Sequence, residues 1–259
     1  RLHPVELFVR LMRALGVFAL IFASYMLQLG LMQLLSTWER DPETGRDSRR
    51  MPGWLHRRRK TVDQTNARRL LGAILRLRGV YIKLGQILSI MGGFLPRVYT
   101  KELEALQDQV PPRPFAELEA TFFEDFGMRA DEVFERIEDE PIAAASLGQV
   151  HEAWLPDGTK LAVKVLYPGI RALINVDMRV LRLAIVVYKW FVPMQNIERV
   201  ADALVDLLHR ETEYLHEGEM MESMAKNFAH RKDILFPEVI WDLTTRNVLT
   251  MTFMEGLKI

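Results

Sequence analysis

One lysine in the sequence stands where a charge is hard to accommodate. Lys164 lies in the middle of the apolar segment 161–165, which has the composition of a β-strand. A lysine is rarely buried without a partner, so this one needs a carboxylate or a phosphate group nearby. The alternative is that the strand has one solvent-exposed face and that Lys164 lies on it.

A glutamate further along the chain is a candidate partner. Residues 196–227 are predicted to form one helix whose apolar side includes Leu204 and Leu208, and Glu211 falls on that same side. An acid on the buried face of a helix that follows a lysine-bearing strand suggests an ion pair between Lys164 and Glu211. Kinase-type folds use such a pair to hold a lysine against the phosphates of a nucleotide.

A segment of small residues precedes the lysine strand. Small side chains at a turn between strands let backbone amides approach the phosphates of a ligand, although the same residues also suit a tight turn that serves packing alone. The segment consists of Ala143, Ala144, Ala145, Ser146, Leu147, Gly148, Gln149 and Val150.

The hydrophobic periodicity predicts which elements position these residues. Spacings of three and four residues indicate helices early in the chain, and short runs of alternating or apolar residues indicate strands later. The predicted helices cover 66–90, 97–109, 115–126, 174–191 and 196–227. The predicted strands cover 149–155, 160–166, 237–242 and 247–254, the first two forming a hairpin.

An apolar segment near the start of the chain predicts a membrane helix. Residues 14–35 carry no charge, and a helix of that length measures about 33 Å, enough to cross a hydrocarbon core of about 30 Å. Basic residues are concentrated after residue 40, which predicts that the rest of the chain is cytoplasmic. The alternative is a helix that lies on the bilayer or packs on its own protein, because Ser24, Gln28 and Gln33 dilute the apolar run.

Composition excludes several classes of function. The chain has 259 residues, enough for one large domain or two small ones, and it has no cysteine, which excludes disulfide scaffolds, cysteine–metal sites and thiol catalysis. Its formal net charge is zero, so no basic footprint supports nucleic-acid binding. The neutrality is a sum of opposed blocks, since 40–78 is strongly basic and 102–140 is strongly acidic.

Three motifs together resemble the UbiB/AarF family of atypical protein-kinase-like proteins, which support ubiquinone biosynthesis. The first is Lys83-Leu84-Gly85-Gln86, which matches the KxGQ signature of a helical extension. The second is the alanine-rich segment, which replaces a glycine-rich nucleotide loop. The third is the Lys164 strand, which continues into Tyr167-Pro168-Gly169 with Asp177 beyond it. The resemblance runs from about residue 60 to the end of the sequence.

The resemblance implies a role for each of these residues. It implies that the alanine-rich segment, Lys164 and Glu211 bind ATP, and that the KxGQ helix folds back over the site with Lys83, Gly85 and Gln86 in a regulatory position. It also implies a membrane-bound protein whose partners are membrane lipid and isoprenoid quinone precursors or biosynthetic proteins. A second family signature is present at Glu211, Tyr214 and Glu217, but Glu213 stands where the family has aspartate. We expect Glu213 and Glu217 to be regulatory.

The segment 253–259 resembles the hinge between kinase lobes, and no His-x-Asp catalytic loop or Asp-Phe-Gly motif follows it. We therefore expect the N-terminal portion of a longer atypical kinase or ATPase, inactive by itself, in which Mg²⁺ would bind only with the missing lobe. The alternative is a short, non-catalytic membrane-bound module that binds a nucleotide or a lipid.

The predicted fold class is α+β. It comprises a membrane helix, a helical KxGQ extension and a kinase-like N-lobe with a five-stranded antiparallel sheet, without a C-lobe. The predicted domains are a membrane anchor at 1–40, a basic linker at 41–65, the helical extension at 66–130 and the N-lobe at 131–259.

Overall fold

The structure is a computed structural model that describes residues 4–40, 47–50, 52–90, 95–108, 110–189 and 197–256. The chain divides into two compact units, Pro4–Gln109 and the residues from Val110 onward, which we call the helical unit and the sheet unit. The predicted boundary was at 130/131. It lies earlier because Leu118 and Phe122, from the segment predicted to belong to the helical extension, are part of the core of the sheet unit.

The helical unit is built from five helices and a short hairpin among the residues described. These are α1 (Pro4–Leu35), β1 (Thr37–Arg40), β2 (Asp47–Arg50), α2 (Gly53–Leu77), α3 (Val80–Ile90), α4 (Arg97–Leu103) and α5 (Ala105–Asp108). Much of the predicted basic linker is therefore the first half of α2, while 41–46 and 51 lie outside the described residues. Within the described part of the chain, Val5–Leu35 is the one helix long and apolar enough to cross a membrane by length and composition.

The predicted helix 66–90 is broken at two residues. Arg78 and Gly79 both have positive φ angles, 54° and 58°, and a left-handed pair cannot continue a right-handed helix. The Arg78 amide bonds to the Ile74 carbonyl at 2.8 Å at the end of α2, and α3 begins two residues later at Val80.

The sheet unit combines a five-stranded sheet with helices. Its helices are α6 (Glu119–Phe126), α7 (Ala130–Val133), α8 (Ile170–Lys189), α9 (Ile197–Arg210) and α10 (Tyr214–Asn227), with 3-10 turns at Phe115–Glu117 and Trp241–Leu243. Its strands are β3 (Arg136–Ile137), β4 (Ala143–Ala144), β5 (Gly148–Trp154), β6 (Lys160–Leu166) and β7 (Val248–Thr252).

All strand pairs of this sheet are antiparallel. The order is β3-β5-β6-β7, with β4 also paired to β5. The β5–β6 hairpin has the predicted position, and its turn contains Gly158 at a φ of 86°. The strand predicted at 237–242 is reduced to a single bridge between Val239 and Met251, because a 3-10 turn begins at Trp241. The α+β class and the five-stranded antiparallel sheet are confirmed.

One face of the sheet forms the core of the unit. Leu161, Val163 and Val165 of β6 are buried against Phe122 and Phe134, which meet edge to face with ring centroids 6.2 Å apart. Because successive side chains on a strand point to opposite faces, Lys160, Ala162 and Lys164 lie on the other face. The strand thus has one apolar face and one face on which a charge can be placed.

Candidate nucleotide site

Lys164 is held by a glutamate on the open face of the sheet. Its Nζ donates to both carboxylate oxygens of Glu217, at 2.6 and 2.8 Å. The two side chains are 25% and 37% exposed, so the pair is partly shielded but still accessible to a ligand. Both sequence interpretations of Lys164 were therefore half right, since it lies on the open face and also has a carboxylate partner.

The partner is Glu217 in place of the predicted Glu211. The prediction assumed one continuous helix over 196–227, but α9 ends at Arg210 and α10 begins at Tyr214. Glu211 lies in the turn between them, where its amide bonds to the Leu207 carbonyl at 3.0 Å. Because the helix is interrupted, residues of α10 do not continue the faces of α9. The acid that reaches Lys164 is Glu217, in the first turn of α10.

Tyr214 connects the ion pair to the alanine-rich segment. Its side chain is 1% exposed, and the Lys164 ammonium lies 4.7 Å from the centre of its ring. Burial raises the pKa of the Tyr214 hydroxyl well above its ordinary value, so the ring stays neutral beneath the cation. The hydroxyl would lie 2.9 Å from a Cβ added at Gly148, which shows how closely α10 approaches the start of β5.

The alanine-rich segment forms a tight turn from β4 into β5. The Ala145 amide donates to the Gly148 carbonyl at 2.8 Å, which leaves Ser146 and Leu147 at the tip of the turn. Ala143 and Ala145 are exposed, Ala144 is half-buried, and Ser146 is buried. Val150 pairs with Lys164 across the two strands and shares its face. Small residues at this turn therefore lie at the end of the strand that runs beside Lys164.

Gln149 has a structural position, although we predicted that it would bind the cofactor. Its side chain is fully buried on the core face, where its oxygen accepts from the Arg113 amide and the Tyr167 hydroxyl, both at 3.1 Å. Its nitrogen donates to the Arg113 carbonyl at 3.1 Å and lies 2.9 Å from His151 Nε2. All four bonding positions of the amide are used, so Gln149 fixes the strand instead of facing a ligand.

The buried His151 is held neutral by its neighbours. Its Nδ1 lies 2.7 Å from the Glu138 carbonyl, which can only accept, so Nδ1 carries the proton and Nε2 accepts from Gln149. Burial lowers the pKa of His151 below its usual value. If Nε2 of His151 were also protonated, its N–H would face the side-chain NH₂ of Gln149, which is also a donor. The Gln149 oxygen could not accept instead, because it already accepts two hydrogen bonds.

This predicts an acid-sensitive sheet unit. The folded chain holds the proton at His151 less tightly than the unfolded chain, whose histidine titrates near pH 6.5, so stability should fall as the pH drops below about 6.5, by no more than about 1.4 kcal/mol per pH unit. We expect His151→Gln to lose this part of the pH dependence of the urea midpoint. His216→Gln, at an exposed histidine of α10, should keep it. Equal slopes in the wild type and His151→Gln would contradict the prediction.

Glu213 holds the start of α10 through a cluster that the sequence did not reveal. Arg246 donates to both carboxylate oxygens of Glu213, at distances from 2.5 to 3.2 Å, and Arg171 Nε lies 3.7 Å from one of them. The bond from Arg246 lowers the pKa of Glu213. Arg171 also donates to the Thr212 carbonyl. Glu213, the longer acid at the family's aspartate position, therefore forms an ion pair with Arg246, which lies in the turn before β7.

An Asp-Phe-Gly triplet does occur at Asp125, Phe126 and Gly127, ahead of the strands, and its position is structural. Gly127 ends α6 with a φ of 73°. The Asp125 carboxylate accepts from the Asn247 side chain at 2.7 Å and from the Asn247 amide at 3.2 Å. In the described part of the chain, no group of three His, Asp or Glu side chains could hold a metal ion.

The KxGQ residues lie in α3 of the helical unit. Gly85 packs against Ile74 and Leu106, and a Cβ there would collide with the Leu106 side chain. The Gln86 amide donates to the Leu106 carbonyl at 2.9 Å, and Lys83 is half-buried. Gly85 and Gln86 therefore join α3 to its neighbouring helices, and the placement of the motif over the nucleotide site stays a prediction.

The sheet unit defines the class of protein. A five-stranded antiparallel sheet with a strand lysine paired to a glutamate of a packed helix is the arrangement of a protein-kinase-like N-lobe. Residues 105–259 match the model of the ABC1 atypical kinase-like domain, and the chain belongs to this family, which includes the AarF and UbiB proteins.

Relatives and a solved structure resemble the chain over about three quarters of its length. AarF domain-containing protein kinase 1 of Xenopus laevis is 35% identical over 195 residues, which cover 75% of the chain and 38% of that protein. Protein ACTIVITY OF BC1 COMPLEX KINASE 8, chloroplastic, of Arabidopsis thaliana is 37% identical over 191 residues, 72% of the chain and 25% of that protein. The structure of the Rv3197–erythromycin complex from Mycobacterium tuberculosis is 28% identical, covers 78% of the chain and 51% of its own, and has a TM-score of 0.48. The chain thus spans well under half the length of these curated relatives.

Proposed function

We propose that the sheet unit binds the phosphates of ATP and that the chain is the nucleotide-binding part of an atypical kinase or ATPase. The observation that carries this proposal is the Lys164–Glu217 pair on the open sheet face. A partly exposed ammonium oriented by a carboxylate is suited to contact two phosphate groups, and the small residues of the β4–β5 turn leave room for them.

The residues present fit a nucleoside triphosphate. Lys164 would contact the phosphates, Glu217 would orient Lys164, and Val150 would offer an apolar surface beside it on the same face. Bound ATP would supply the phosphoryl group for transfer or hydrolysis. The groups that place Mg²⁺ and the attacking atom in kinases belong to a His-x-Asp loop and an Asp-Phe-Gly motif beyond the hinge, so for these residues we propose binding alone.

The apolar helix α1 supports the further proposal that the protein acts at a membrane. Within Val5–Leu35, the most apolar window of 18 residues has a mean hydropathy of 1.9, and only 6% of that window is buried. Together with family membership, this favours a role in the biosynthesis of ubiquinone or a related isoprenoid lipid, whose precursors partition into the bilayer. The kinase-like unit would face the cytoplasm.

Thermal unfolding of the full chain in detergent tests nucleotide binding. ATP or ADP at about 100 times its dissociation constant should stabilise the folded chain by about 2.7 kcal/mol and raise the melting temperature. The titration should be run with and without Mg²⁺, with inorganic phosphate as the control for a general anion effect. A melting temperature unchanged by millimolar nucleotide would contradict the proposal.

A further inference from the structure

Helix α1 has a polar side, and that side is bound to α2. Ser24 accepts a hydrogen bond from the Asn66 side chain at 2.6 Å, and the Tyr25 hydroxyl donates to Asp63 at 2.7 Å. Gln28 is 2% exposed and donates to a backbone carbonyl of α2 at 3.3 Å. Two of the three residues that dilute the apolar run, Ser24 and Gln28, therefore attach α1 to its own protein.

The two helices are antiparallel and remain paired over a long distance. At one end Arg10 donates to the carbonyls of Leu77 and Arg78, and at the other Gln28 contacts Leu55. At about 1.5 Å per residue, the part of α1 between these contacts measures about 27 Å, close to the thickness of a hydrocarbon core. If α1 crossed a bilayer in this conformation, α2 would have to cross beside it.

The composition of α2 rules out that arrangement. Over Gly53–Leu77 it has seven basic residues and one acidic one. Charged side chains facing lipid at membrane depth are costly and rare. The basic residues of α2 that are exposed are Arg57, Arg59, Lys60, Arg68, Arg69 and Arg76.

The opposite side of α1 is apolar and exposed. Phe8, Met12, Leu20, Leu27 and Leu34 are between 52% and 82% exposed. At 100° per residue they fall within an arc of about 120° on the side away from Gln28, and Gly16, Ala19 and Ala23 lie within the same arc. Because the polar side of α1 is bound to α2, this apolar face is the side of the helix that is available to lipid.

We propose that α1 lies in the plane of the membrane surface, with its exposed apolar face in the lipid and the cations of α2 at anionic headgroups. This rests on the proposed membrane attachment and replaces the transmembrane orientation predicted from length and hydropathy. Packed helices have axes about 8–10 Å apart, so the cations of α2 on or beside its α1-contacting face, such as Arg59 and Lys60, lie within about one Debye length of the phosphate layer that α1 enters. The charge of α2 thus selects anionic phospholipid as the partner.

Single cysteines test the orientation, because the chain has no cysteine of its own. Glu6→Cys and Leu35→Cys place thiols near the two ends of α1, at exposed positions that lie outside its apolar face. The full chain is expressed in bacteria, and right-side-out and inverted inner-membrane vesicles are treated with a membrane-impermeant maleimide. Both thiols should react from the same side, the side on which Ile142→Cys in the sheet unit reacts. Labelling of the two ends from opposite sides would overturn the inference while leaving membrane attachment intact.

Vesicle flotation of the full chain tests the lipid partner. Binding should be stronger to phosphatidylcholine vesicles that contain phosphatidylglycerol than to those without it, and Arg59→Gln and Lys60→Gln should each weaken it about fivefold. Lys226→Gln, which removes a cation from α10, should leave binding unchanged. If binding is unchanged by phosphatidylglycerol and by the α2 substitutions, the role proposed for α2 is wrong. If the chain binds no vesicle at all, membrane attachment itself is wrong.

Discussion

Replacement of Lys164 by alanine is expected to weaken adenine-nucleotide binding about a hundredfold, since a hydrogen bond to a charged group contributes about 1.5–3 kcal/mol and the lysine is positioned to make more than one. The loss has two physical sources. The ammonium that would contact the phosphates is removed, and the Glu217 carboxylate that it neutralised is left facing them. Isothermal titration of the full chain with ADP and with ATP measures the change.

Lys160→Ala is the matched control for this experiment. Lys160 lies on the same face of the same strand, four residues away, and is also paired, with its Nζ 2.9 Å from Glu152. Its Nζ lies 3.8 Å from the centre of the Phe253 ring. This is the end of β6 that is farther from the β4–β5 turn. We expect nucleotide affinity to be retained in Lys160→Ala, and equal losses in both variants would show that binding does not depend on the Lys164 position.

The double variant Lys164→Met/Glu217→Gln separates binding from folding. It removes the unpaired carboxylate, so the melting temperature without ligand should recover relative to Lys164→Ala. The stabilisation by nucleotide should stay absent. Recovery of nucleotide stabilisation in the double variant would mean that Lys164 acts only through the stability of the sheet unit.

Replacement of Gly148 by alanine is expected to destabilise the sheet unit by about 3 kcal/mol, the upper end of the usual cost of overpacking. The added methyl group would collide with the Val165 carbonyl, which belongs to the paired strand, and would lie 2.9 Å from the Tyr214 hydroxyl. A backbone carbonyl in a ladder cannot rotate away as a flexible side chain can, so β5 and β6 would have to separate locally. Urea unfolding measures the loss.

Gly256→Ala is the control for this substitution, because nothing lies within 4 Å of a Cβ at that position. It should change stability by less than about 0.5 kcal/mol. The same close contact joins the alanine-rich turn to α10, so Gly148→Ala should also lower nucleotide affinity. A Gly148→Ala protein as stable as the wild type would show that the sheet relaxes without cost at this point.

The sequence predicted the hairpin and the position of Lys164 correctly, but it did not predict which carboxylate pairs with Lys164. The β5–β6 hairpin could be located from sequence because alternation and turn residues are local properties, and Lys164 could be singled out because its neighbours in the strand are apolar. The choice between Glu211 and Glu217 depended on whether residues 211–213 continue a helix. That depends on bonds to distant residues, since Glu213 is held by Arg246 and the Thr212 carbonyl by Arg171.

The same distinction applies to the polar residues of the apolar segment. Ser24 and Gln28 could be seen to weaken the case for a membrane span, but their partners lie 42 and 27 residues away in α2. Gln149 was assigned to the nucleotide because it lies in the alanine-rich segment. Its face of the strand is set by pairing with β6, and that face is the core.

Arg171 has a consequence for how the sheet unit can vary in length. It lies at the start of α8 and donates to the carbonyls of Thr212, just beyond the end of α9, and of Arg246. These bonds join the start of α8 to the end of α9, so the two helices form a loop whose two ends are held together. Because the entropy of closing such a loop changes only with the logarithm of its length, residues can be inserted between α8 and α9 with little effect on the lysine site. That junction is the natural point at which to attach a reporter domain to this protein.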